Sequence, residues 1–150
     1  MTYLLDTCVV SERMKASPDR NVLEWLSSVD EDSLYLSAVT IGEIRKGIAL
    51  LGDTKRAVQL SELLNLIESE YSDRILSYNI SVAETWGETV ADAERHGFQR
   101  SVLDSLIAAT AKTDNMVLVT RNVSDMEHMG VAILNPWELG AGRIHNPTKE

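Results

Sequence analysis

Apolar residues along the chain fall into two patterns. Tyr3-Leu4-Leu5, Leu34-Tyr35-Leu36, Ile75-Leu76, Met116-Val117-Leu118-Val119 and Val131 to Leu134 are short, nearly unbroken runs, the form taken by strands buried on both faces. Between them the apolar positions recur at helical spacing. Val9-Val10-Ser11-Glu12 starts a first helix, and Val22, Leu23, Trp25, Leu26 and Val29 describe a second, between Pro18 and the acidic turn Asp30-Glu31-Asp32. Ser37, Thr40, Ile41, Ile44, Ile48 and Leu51 predict a helix stopped by Gly52, with Glu43 in its first turn. Val58, Leu60, Leu63, Leu64 and Ile67 predict the next, Val82 to His96 another closed by Gly97, and Ser101 to Lys112 the last. Strand alternating with helix implies a central parallel sheet flanked by helices on both faces, because parallel strands need crossovers and the helices supply them. One domain over residues 1–139 accounts for the pattern. From Gly140 to Glu150 the pattern lapses, which predicts a loosely ordered C-terminal tail.

A chain of 150 residues, 44% hydrophobic and 25% charged, has enough apolar material for one packed core. Its single cysteine, Cys8, has no partner for a disulfide, and MTYLLDTCVVSE lacks the basic start and long apolar run of a secretory signal. The cytoplasm is the expected location. No apolar stretch approaches the roughly 20 residues that span a bilayer, so no membrane role is expected. The net charge of −9 runs against nucleic-acid binding, which usually leaves a basic footprint. A bound cation would neutralise part of it, and a basic protein partner would be attracted by the rest.

That charge gains meaning from where the acids fall. In open α/β sheets, sites form outside the carboxyl ends of the strands, and Asp6, Glu43 and Asp125 lie at or just beyond such ends. Asp104 opens a helix whose inward face carries Ile107, Ala108 and Ala111. Clustered carboxylates repel one another unless a cation is present, and magnesium or manganese prefers oxygen ligands completed by water or substrate phosphate. The chemistry implied is phosphodiester hydrolysis. His96, His128 and His145 have no zinc spacing, and no glycine-rich phosphate loop is present. Each acid also has a plainer role open to it. Thr40-Ile41-Gly42-Glu43 and Ser101-Val102-Leu103-Asp104 both have the form of a capping box, Asp6 could cap the first helix, and Asp125 could be a solvated loop residue. Arg45, Lys46, Arg100 and Arg121 are candidates for phosphate contact, with surface solvation as the plainer alternative. Cys8, Trp25, Trp86 and Trp137 read as packing residues.

Four segments, taken in order, carry a family resemblance: Leu4-Leu5-Asp6-Thr7; Leu36 to Ile44 with Gly47; Asp104-Ser105-Leu106-Ile107-Ala108-Ala109-Thr110-Ala111; and Val119-Thr120-Arg121-Asn122-Val123-Ser124-Asp125. Together they resemble the PIN domain, most closely the VapC-like toxins with their FitB-type members, over residues 2 to about 138 including Asn135-Pro136-Trp137. The resemblance implies a three-layer α/β/α sandwich. It places the family's first three acids on Asp6, Glu43 and Asp104, and the fourth on Asp125 or, alternatively, at Asn122, with Thr120 orienting a ligand from behind. Cys8 stands where relatives commonly have asparagine, and Met126 replaces a frequent aromatic. The activity implied is that of a Mg2+- or Mn2+-dependent endoribonuclease acting on RNA as the toxin of a toxin–antitoxin pair. Such a toxin is usually a homodimer, inhibited by an antitoxin that often inserts a basic side chain among the carboxylates.

Rival folds fit less well. A phosphate-accepting receiver domain needs an acidic pair after the first strand, where Asp6 stands alone, and a dehalogenase-like phosphatase needs an aspartate where Cys8 lies. The alternative without catalysis is an acidic binding module that sequesters a basic protein. The nuclease reading predicts that Asp6→Asn or Asp104→Asn abolishes cleavage at little cost in stability, on the expectation that both positions are accessible.

Overall fold

The computed structural model of the chain describes residues 1–138, 140 and 143–147. The strands are β1 (Tyr3–Leu5), β2 (Leu34–Ser37), β3 (Ile75–Leu76), β4 (Val117–Val119), β5 (Ile133–Leu134) and β6 (Ile144–His145). The helices are α1 (Thr7–Arg13), α2 (Arg20–Ser28), α3 (Ala38–Leu50), α4 (Lys55–Glu70), α5 (Ile80–Arg95), α6 (Val102–Thr113) and α7 (Val123–Met126). Short polar residues start them: Asp6, Asp19, Ser37, Thr54, Asn79 and Ser101 each accept a hydrogen bond from a backbone N–H of the helix they cap. Gly52 and Gly97, expected as helix stops, take φ of +64° and +81°.

The sheet order is β3-β2-β1-β4-β5-β6. Its first five strands are parallel, as expected, and β1 sits between β2 and β4. The chain therefore winds outward in both directions from the β1/β4 pair, which is the topological switch point where such sheets bind ligands. Alternation along β1 sends Leu5 to one face and Leu4 to the other. Leu5 joins Val9, Val10, Val22, Trp25, Ile44, Ile48, Leu64 and Tyr71 under α1–α4, while Leu4 joins Ile107, Ala108, Ala111, Leu118, Met126 and Ile133 under α6 and α7. These are the two helical layers of a three-layer sandwich.

The structure departs from the sequence expectations at four points. The sheet is not wholly parallel, because β6 pairs antiparallel with β5, Leu134 facing Ile144. Ile144 and His145 lie inside the stretch expected to be a loose tail; a single apolar residue beside His145 gives no unbroken apolar run to mark a strand. Leu139, Ala141, Gly142 and Thr148 to Glu150, including the expected boundary at 139, lie outside the described residues. The α7 helix was not expected, four residues being too few for a pattern. Helix α3 begins at Ala38 behind the cap Ser37, so Glu43 lies beyond its first turn and Thr40 is not a cap. Among the described residues no helix is long and apolar enough to cross a membrane.

Candidate active site

Asp6 follows β1 directly and caps α1, with φ −67° and ψ 160°. Pairing of Leu5 with Val119 places the residues that follow them, Asp6 and Thr120, side by side, and Asp6 N–H donates to Val119 C=O at 2.9 Å. Asp6 is 3% exposed, so the expectation of an accessible position fails for it. Its Oδ1 accepts from Thr7 N–H at 2.8 Å, and its Oδ2 accepts from Thr120 Oγ1 at 2.7 Å and from Cys8 Sγ at 3.7 Å. Burial holds its pKa above the ordinary carboxylate range. The hydrogen bonds from Thr120 and Thr7 pull the other way, and the Asp104 charge adds to the rise.

Glu43 comes from α3 and is half-buried. Its Oε1 accepts from Thr7 Oγ1 at 2.8 Å. Its pKa is also raised, first by burial and then by repulsion from Asp6 and Asp104, against the lowering effects of the Thr7 hydrogen bond and of Lys46. Glu43 is therefore not the capping carboxylate that its sequence motif allows. Asp104 sits in the first turn of α6, where its backbone N–H donates to Oγ of the cap Ser101 at 3.1 Å, and its charge reaches both other acids. Capping and membership of the acidic group coexist at Asp6.

These links join Asp6, Glu43 and Asp104, but not Asp125, which is exposed on α7. Asn122 is tied to the group through its backbone: its N–H donates to Thr120 Oγ1 at 3.0 Å, behind the Thr120–Asp6 bond. Among the described residues no three acidic, histidine or cysteine side chains are drawn together as tightly as the ligands of an ion. The donor set nonetheless fits a hard divalent cation. It offers carboxylate oxygens only, two of them with pKa values raised by desolvation and mutual repulsion, a cost that a cation relieves. Burial pushes the Cys8 thiol up to about 11, so it stays protonated beside Asp6.

Most of the cations expected at the site are occupied. Arg45 binds Ser61 Oγ at 2.8 Å and Asn65 Oδ1 at 3.2 Å, Arg100 donates to the carbonyls of Gln99, Ser124 and Glu127, and Arg121 lies over the Trp137 ring at 5.3 Å. Lys46 is exposed. Trp25 and Trp137 pack in the core under α1–α4, Trp25 meeting Tyr3 edge-on at 5.2 Å, while Trp86 donates from Nε1 to Ser105 Oγ at 2.9 Å. A groove of about 330 Å³ opens beside Thr7 and Glu43, lined further along by Met14, Ile44, Ile48 and Arg56. A larger cavity of about 930 Å³, bordered by α5, α7 and β6, contains none of the three acids. The roles of the Thr7 and Thr40 hydroxyls escaped the sequence expectations, which gave Thr40 only a cap, because no periodicity marks a hydroxyl whose partner lies on another helix.

A family model described as "PIN domain" matches residues 3–130. The Toxin FitB of Neisseria gonorrhoeae is 37% identical over 135 residues, which cover 89% of this chain and 97% of that protein. The VapC ribonuclease Y4jK of Sinorhizobium fredii is 35% identical over 136 residues, covering 90% and 97%. In three dimensions the chain is similar to the crystal structure of FitAcB from Neisseria gonorrhoeae, with a TM-score of 0.86 at 37% identity, covering 92% of this chain and 100% of that one. The chain belongs to the PIN-domain family.

Proposed function

We propose that this protein is a divalent-metal-dependent endoribonuclease acting as the toxin of a toxin–antitoxin pair. The observation that carries the proposal is that Asp6 and Glu43 are held by one residue, Thr7, beside the β1/β4 switch point, Asp6 by its N–H and Glu43 by its hydroxyl, each at 2.8 Å, with the Asp104 charge acting on both. Similarity to a VapC ribonuclease and to a toxin supports the substrate and the biological role.

Asp6, Glu43 and Asp104 would hold Mg2+ or Mn2+, and the exposed Asp125 would join through water, with Asn122 as the alternative fourth position. Such an ion supplies Lewis-acid stabilisation of the charge that builds on a phosphodiester as water adds to phosphorus and the bond to the leaving ribose oxygen breaks. The chain's own residues set up that chemistry. Three donors hold the Asp6 carboxylate in one orientation, and the neighbouring acids keep the site strongly negative. That charge makes a basic side chain of an antitoxin a natural inhibitor. Homodimerisation and inhibition by an antitoxin complete the proposal.

The test is cleavage of a mixed RNA pool by purified protein with Mn2+, Mg2+ or chelator, beside Asp6→Asn prepared identically. Metal-dependent cutting that disappears in the variant is the expected result. Absence of cutting in every condition would instead favour an acidic module that only binds a basic protein.

A further inference from the structure

We propose that Thr7 is a positioning residue for the cleavage reaction: its hydroxyl holds the Glu43 carboxylate turned toward Asp6. The inference rests on the nuclease reading of the acidic group.

Asp6 and Glu43 are held very differently. Asp6 is a short side chain, almost wholly buried, with donors on both oxygens. Glu43 is longer and half-buried, and the hydrogen bond recorded on its carboxylate is the 2.8 Å bond from Thr7 Oγ1. Thr7 follows Asp6 directly and is the first residue of α1, so this bond draws Glu43 across from α3 toward the Asp6 side of the site. Thr7 is itself fixed, with its Oγ1 3.1 Å from Oγ1 of Thr40, a fully buried residue. A hydroxyl carries one proton. The shorter, charge-assisted bond to Glu43 takes the Thr7 proton, and the rotatable Thr40 hydroxyl can then turn its own proton to Thr7.

Glu43 has a competing partner. Lys46 lies three residues further along α3, exposed, and its charge already acts on Glu43. Residues three apart on a helix are neighbours. Without the Thr7 hydroxyl, the Glu43 carboxylate is free to swing outward to Lys46 and away from Asp6 and Asp104. Thr7 thus decides which of two partners Glu43 serves.

Groups that orient a metal ligand typically contribute about 10–100-fold to metal affinity or activity. The experiment compares full-length wild type, Thr7→Val and Thr7→Ser. It measures kcat and KM for RNA cleavage and, separately, the Mn2+ concentration that half-maximally raises the melting temperature. Thr7→Val should lower kcat about 10–100-fold and raise the Mn2+ midpoint by a similar factor. KM for RNA and the melting temperature in chelator should stay near wild type, and Thr7→Ser should restore both lost properties. If Thr7→Val does not fold, Thr7→Ala, which also lacks the hydroxyl, carries the same comparison. A Thr7→Val protein with wild-type kcat and Mn2+ midpoint overturns the inference while leaving the nuclease intact. So does a Thr7→Ser protein as impaired as Thr7→Val, which would mark a packing role. Wild type that neither cleaves RNA nor responds to Mn2+ overturns the nuclease reading, and this inference with it.

Discussion

Thr120 donates a 2.7 Å hydrogen bond to Asp6 from 114 positions away in the chain. The two residues follow paired strands at the centre of the sheet, so the bond ties the ends of β1 and β4 together where the chain reverses its winding direction. Thr120 is fully buried, and its Oγ1 also accepts from Asn122 N–H. One hydroxyl therefore orients the central carboxylate and anchors the turn that leads into α7.

Thr120→Val removes that hydroxyl at nearly constant volume. RNA cleavage in Mn2+ should fall about 10–100-fold, while Thr120→Ser keeps most of it. Equal activity in the valine variant and wild type would show that Asp6 needs no such support.

Asp6→Asn should abolish cleavage without the stability loss usual at a buried position. The folded pKa of Asp6 lies above its ordinary value, so the folded state binds this proton more tightly than the unfolded one. The stability contribution is consequently intact in acid, falls as pH rises through the raised pKa, and remains penalised at neutral pH. In chelator at pH 7, Asp6→Asn should melt no lower than wild type, and the difference should vanish toward pH 4. Added Mn2+ should reverse the order by stabilising wild type alone. Melting curves across pH with and without metal check this; a variant that melts well below wild type in chelator would contradict it.

Asp104 and Asp125 should differ sharply. Asp104→Asn is expected to eliminate cleavage, because the Asp104 charge acts on both Asp6 and Glu43. Asp125→Asn, at an exposed position on α7, should lower the rate less than about 10-fold. Comparable losses in the two variants would give Asp125 a direct ligand's role.

Arg74 matters to the fold rather than to the chemistry. It is 8% exposed, donates to the carbonyls of Glu31, Leu34 and Glu70, and lies over the Tyr71 ring at 4.6 Å. Arg74→Met leaves those acceptors without their donor and should cost on the order of 3 kcal/mol. Urea unfolding measures the loss directly, and a change under about 0.5 kcal/mol, the usual range at an unremarkable surface site, would refute the assignment.

Acid should expose Glu12. Its carboxylate accepts from Lys15 Nζ at 2.7 Å and from Asp19 N–H at 2.9 Å, joining α1 to the start of α2. The Lys15 hydrogen bond, helped by the Asp19 N–H, holds its pKa below the ordinary value. A depressed folded pKa contributes stability above the unfolded value, and that stability disappears as pH falls through the folded one. Glu12→Gln should therefore melt lower than wild type at pH 7, with the gap closing below about pH 4. A gap independent of pH would rule out the ionic origin.

Much of this molecule was determined by sequence alone, because strand runs and helical spacing are local and repeat often enough to be seen. The parallel core of the sheet, the helices on both faces, the helix stops at Gly52 and Gly97, and the four segments that place the chain in the PIN-domain family are of this kind. The strand β6 and the helix α7 were invisible because Ile144-His145 is not an unbroken apolar run and Val123 to Met126 is too short to show helical spacing. Only the tertiary structure decided the burial of Asp6, the true start of α3 and hence the position of Glu43, and the separation of Asp125 from the other acids. It alone joined Thr7 to Glu43, Thr120 to Asp6, and Arg45 and Arg100 to protein partners. Apart from the start of α3, which the neighbouring cap Ser37 sets, and the Arg100 bond to Gln99, these depend on contacts between segments well separated in the chain, which the order of residues does not display.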